Sequence, residues 1–133
     1  DAMREAGIPL LSLEGAAPVA SFDIVGMHVP HEMAVTNFLE ALDLAGIPLL
    51  AADRTEDDPI IVAGGPSVYN PEPYAAFFDA ILIGEGEESL LEICQLHRRL
   101  RDEGVSRAQI VEQLATVAGT YVPSLYEVRH DEP

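Results

Sequence analysis

The sequence predicts an α/β fold with a mainly parallel sheet covered by helices on both faces. Strand-length apolar runs alternate with segments of helical period, joined by short loops. The strand runs, FDIVGMHV and IIVAG, are apolar on both faces, as in a sheet buried from both sides. Glycines at 7, 46 and 104 close three of the helical segments, a common C-terminal stop.

Taken in order, DAMREAG reads as the last turns of a helix ending at Gly7, and IPLLSLE (8–14) as a short strand. GAAPVA is a loop, and Phe22 to Val29 is the next strand. In HEMAVTNFLEALDLAG, Met33, Val35, Phe38, Leu39, Leu42 and Ala45 recur at helical spacing. IPLLAADR (47–54) suggests an extended piece and TEDDP a polar turn before the buried strand IIVAG (60–64). PEPYAAFF (71–78) predicts a short helix and DAILIG (79–84) a strand. EESLLEICQLHRRLRDEG is a long amphipathic helix, acidic first and arginine-rich last, which suits the helix dipole. Ser106 is the N-cap expected for a further helix running to Gly119, and TYVPSLYEV (120–128) returns as an extended segment.

A chain of 133 residues suits one domain with a real core. Asp and Glu number 23 against 7 cations, for a net charge of −16, and every cation is arginine. The absence of lysine removes a GxxxxGK phosphate loop, and the acidity argues against a nucleic-acid partner. No apolar run approaches the ~20 residues that cross a bilayer, so no membrane role is expected. The single Cys94 forms no internal disulfide and cannot alone hold zinc or an iron–sulfur cluster; a cytoplasmic setting is expected.

Ligands of open α/β sheets bind beyond the carboxyl ends of the strands, where three loops qualify: MHVPHE, GGPSVYNPEP and GEGEES. Two are glycine-rich, which either admits close backbone approach or merely turns the chain. Glu87 and Glu88 suit a first helical turn; Glu85, between Gly84 and Gly86, either caps the helix or accepts hydrogen bonds from an amide-rich ligand. These acids make a poor pyrophosphate site. His28 and His31 lack a third ligand for a metal, and their order is not the His-Glu-x-x-His of zinc hydrolases. His97 is expected on a solvated helix face, Cys94 in the core, and Asp53, Glu56, Asp57 and Asp58 in a hydrated turn. No nucleophile elbow or Ser/His/Asp set appears, so no catalytic residue and no metal site are predicted for the isolated chain.

Together, FDIVGMHVPHEMAVTNFLEALDLAGIP, DDPIIVAGGPSVYNPEP and FFDAILIGEGEESLLEI resemble the N-terminal domain of cobalamin-type radical SAM (Fe-S oxidoreductase) proteins, over Met3 to Val128. The resemblance implies a Rossmann-like, flavodoxin or cobalamin-binding type of fold. It implies that Gly64, Gly65 and Pro66, with Gly84, Glu85 and Gly86, line the channel for the cofactor's nucleotide tail, near His28. Where such domains carry Ser-x-Leu, this chain has His28, Val29 and Pro30; their opening strand and Asp-x-His-x-x-Gly loop have no counterpart here. The expectation is a fragment of a larger radical SAM protein, lacking its first strand, with an unpaired edge through which it would form a homodimer. The 4Fe-4S cluster and S-adenosylmethionine are expected only in a downstream catalytic barrel of the same parent chain. Three readings stay open: a cobalamin-binding accessory domain, a cofactor-free module packing against the barrel or a partner, and a flavin or nucleotide domain. The missing lysine and the acids of GEGEES count against the last.

Overall fold

The computed structural model of the protein describes residues 2–127 and 129. Strands β1 (Ile24–His28), β2 (Ile60–Gly64), β3 (Ala80–Leu82) and β4 (Thr120–Tyr121) lie side by side in that order. The first three are parallel, and β4 runs antiparallel to β3. The helices are α1 (Ala2–Ala6), α2 (Ala34–Ala45), α3 (Glu87–Asp102) and α4 (Arg107–Leu114). The α/β class, the mainly parallel sheet and the Rossmann-like layering expected from sequence are all present.

Strand alternation sorts side chains between two cores. Ile61, Ala63 and Ile81 face Val35, Leu42 and Ala45 of α2. Ile60, Val62, Ala80 and Leu82 face Ile93 of α3 and Ile110, Val111 and Leu114 of α4. The crossover from β2 to β3 uses two 3₁₀ turns, Pro66–Tyr69 and Glu72–Tyr74, in place of the predicted short helix. Prolines open both turns, and the turns deliver Val68 and Tyr74, with Phe78 beyond them, into the α2-side core.

Other boundaries also differ from expectation. Residues 8–14 form no strand; the segment makes one antiparallel bridge, Leu11 to Pro18, around a tight turn held by Ser12 N–H to the Ala17 carbonyl. Leu10 donates to the Leu44 carbonyl at the end of α2, so this arm is tied to a helix rather than to the sheet, and Leu13 is fully exposed. Within 47–54 the chain turns as a 3₁₀ segment, Ala51–Asp53. Helix α4 has its Ser106 N-cap but ends at Leu114, where bonds of i to i−3 type tighten the chain and the Thr116 hydroxyl binds the Gln113 carbonyl. After β4 the chain enters a 3₁₀ turn, Pro123–Leu125; Val128, the last residue of the predicted extended segment, lies outside the described residues.

The start of β3 is fixed by charge. Oδ2 of Asp79 accepts from Arg54 Nη1 (2.8 Å), Arg107 Nη2 (2.9 Å) and the Ile61 backbone N–H (2.8 Å). Arg54, fully enclosed, also donates to the carbonyls of Pro48, Leu49 and Phe77. Burial pulls the Arg54 guanidinium below its ordinary range, and Asp79 pulls in the opposite direction.

At the far edge, Asp23 accepts from Ile60 N–H and Val29 donates to the Gly64 carbonyl. In a parallel ladder this turns the backbone groups of Ile24, Gly26 and His28 away from β2. Among the described residues, no strand pairs with that side of β1.

Candidate functional site

At the carboxyl ends of β1, β2 and β3 lies a cleft of about 680 Å³, within the range of roughly 300–1,000 Å³ usual for small-molecule sites. It opens on the α3 side of the sheet because α3 and α4 cover β2 and β3 but leave the end of β1 bare. Register explains its floor. His28 pairs with Gly64 and Gly64 with Leu82, while Gly26 pairs with Val62, so these residues share one face. Gly26 and Gly64 are diagonal neighbours without side chains, and the channel runs over them. Gly65, Pro66 and Tyr69 form one wall, and Gly84, Glu85, Gly86, Glu87 and Leu90 the other.

The structure therefore brings together all seven residues singled out from sequence: His28, Gly64, Gly65, Pro66, Gly84, Glu85 and Gly86. Their reasons for being what they are differ. Gly65 has φ 117°, and a Cβ there would meet the Val29 carbonyl at 2.8 Å and the His28 ring at 3.0 Å. It is glycine because of its own neighbours, whether or not anything enters the cleft. Gly64 has no such constraint: an added Cβ would meet only Leu82, at 3.8 Å, in ordinary contact. Gly64 alone of the pair keeps the channel open without being required by the backbone. Gly84 (φ 109°) turns the chain with open space beside it, and Gly86 is the N-cap of α3.

Glu85 makes no cap hydrogen bond; it is exposed on the rim with Glu87. The cleft has two carboxylates and no arginine among its lining residues, so it favours a neutral or cationic ligand surface over a free phosphate. His31 is exposed and is not among the residues lining the cleft. Among the described residues, no group of three or more His, Cys, Asp or Glu side chains is arranged to hold a metal. No helix of the described residues is long and apolar enough to cross a membrane.

Two expectations on α3 are corrected. His97 is 9% exposed rather than solvated, and burial lowers its imidazole pKa from the ordinary 6.5. Cys94 is exposed, because one position on from Ile93 it is turned about 100° around the helix from the face that meets the sheet. The turn acids are not merely hydrated: Glu56 accepts from the Arg107 N–H and Asp58 from the Thr55 N–H and hydroxyl. Gly26, Val62, Leu82 and Leu90 are cleft residues that the sequence reading passed over. A signal existed for Gly26, since a glycine inside a strand often marks close approach of a ligand or another backbone.

A family profile for the N-terminal region of radical SAM proteins matches residues 1–123. No curated protein and no solved structure matches the chain. The chain belongs to the family of radical SAM protein N-terminal regions.

Proposed function

We propose that this radical SAM N-terminal domain is an accessory, cofactor-binding module whose cleft takes the nucleotide tail of a cobalamin-type cofactor. One observation carries the reading: Gly26 and Gly64 lie diagonally on one face and open a channel at the strand ends that no backbone requirement at either position explains. An apolar floor of Val62 and Leu82 suits a flat heterocycle. The rim carboxylates of Glu85 and Glu87 suit ligand amides. A corrinoid supplies radical or alkyl-transfer chemistry at its own metal, while the residues named here bind and orient it. The 4Fe-4S cluster and S-adenosylmethionine would sit in the catalytic barrel of the parent chain, since this sequence holds one cysteine.

A second reading has its own support. Tyr69 (69% exposed) and Leu90 (41%) give the cleft an exposed apolar rim, suited to packing against the barrel without a cofactor.

Difference absorbance on adding hydroxocobalamin to the protein separates the two. Binding predicts a saturable shift that Gly64→Leu and Gly26→Leu each abolish without lowering the melting temperature, since both sites have room for a Cβ. Absence of any shift in the unaltered protein sinks the cofactor reading and leaves the packing module.

A further inference from the structure

A second cavity, about 560 Å³, lies at the opposite end of the sheet and is lined by Arg54, Asp79 and Arg107. The hydrogen bonds of these groups are unevenly distributed. All three bonds to the Asp79 carboxylate converge on Oδ2. Oδ1 has no partner among the described residues. Arg107 donates through Nε to the Asp58 carbonyl and through Nη2 to the Pro59 carbonyl and Asp79, which leaves the two N–H groups of Nη1 without a partner there.

Neither free atom is sealed in. Among the described residues, the only fully enclosed side-chain polar atom without a partner is Thr120 Oγ1. Asp79 is 5% exposed, so the space its Oδ1 reaches is a confined one, and the cavity that both residues line provides it. An acceptor and a donor thus belong to two groups in direct contact, Arg107 Nη2 lying 2.9 Å from Asp79 Oδ2.

That pairing selects a chemistry. A carboxylate ligand would meet the Asp79 charge, and an ammonium would meet two guanidiniums. A neutral amide edge offers its carbonyl to Arg107 and its N–H to Asp79, one hydrogen bond to each residue with no like charge against either. The walls are apolar and low: Ala76 and Ala108 leave the space that larger side chains would fill, and Tyr121 and Tyr126 line it with aromatic rings. We propose that this cavity is a second binding site, for a small flat carboxamide held by Asp79 and Arg107, separate from the glycine cleft and independent of what that cleft binds.

Equilibrium dialysis of the full-length protein against radiolabelled benzamide and, separately, benzoate tests it. Benzamide should bind saturably, with benzoate about tenfold weaker or worse, the loss expected when one charge-assisted hydrogen bond becomes a repulsion. Ala108→Phe fills the cavity from an exposed helical position and should weaken benzamide at least about tenfold with an unchanged melting temperature. Arg107→Lys keeps the charge but removes Nη1 and should weaken benzamide while sparing any binding at the cleft. If Arg107→Lys fails to fold, Ala108→Phe still decides. No saturable benzamide binding, equal affinity for benzoate, or an unaffected Ala108→Phe variant overturns the proposal.

Discussion

The two ends of this sheet are built on opposite principles. At the carboxyl end, glycines remove side chains, and the lining groups make few bonds to one another. At the amino end, a buried carboxylate gathers two guanidiniums and a backbone N–H, and Arg54 reaches three carbonyls besides. The first end has room because Gly26 and Gly64 carry no side chains, while backbone bonds such as Val29 N–H to the Gly64 carbonyl and Ser67 N–H to the Val29 carbonyl hold it together. The second is rigid because each group depends on the others. Side-chain bonds that resist unfolding are thus concentrated at one end of the strands, and a substitution's effect should depend on which end it touches.

The strongest way to break this contrast is at the charged end. Asp79→Ala leaves Arg54 and Arg107 without their carboxylate and Ile61 N–H without an acceptor; the expected loss is about 3–5 kcal/mol in chemical denaturation. A loss below about 1 kcal/mol would show that the network is ornamental to stability. Within the glycine end, Gly65→Ala should cost roughly 1–3 kcal/mol through its positive φ and the clash with Val29. Gly64→Ala should be neutral or stabilising by up to about 1 kcal/mol, since its Cβ fits. Equal effects at the two positions would erase the distinction between a structural and a space-keeping glycine.

The smallest effect lies between the ends, on α3. The His97 imidazole has a folded pKa held below its ordinary value of 6.5 by burial. Its contribution to stability is fully present above that ordinary value. It declines as pH falls from there toward the folded pKa, because the unfolded chain takes up the proton first. Denaturation midpoints compared at about pH 7.5 and about pH 5.5 should therefore differ less in His97→Gln than in the unaltered protein. An unchanged pH dependence would mean that His97 does not contribute to it.

Much of the architecture was legible in the sequence, and the exceptions have physical causes. β2 and the long α3 announced themselves through an uninterrupted apolar run and a charge-graded amphipathic pattern. IPLLSLE has the apolar residues of a strand, but its backbone bonds go to the end of α2 and across its own turn rather than to the sheet. The seven candidate residues converge on one cleft because each stands at a strand end or in the loop beyond it, where topology guarantees proximity. The floor was harder to read. Gly26, Val62 and Leu82 join the site through strand register, which no local pattern encodes. Arg54 was equally opaque: a lone arginine in a polar stretch gives no sign that it will be enclosed 25 positions from its carboxylate.

The bond from Ile61 N–H to Asp79 has one further consequence. Side chains alternate along a strand, so sliding β2 by a single residue would put Ala63 where Gly64 now stands and turn Gly64 toward α2. Nothing in the apolar run Ile60–Ala63 forbids such a slip, since its residues are nearly interchangeable in character. Asp79 forbids it, because its carboxylate meets the amide of Ile61 and of no other residue in the strand. A charge buried at one end of the sheet thereby settles the alignment that decides which atoms face the cleft at the other.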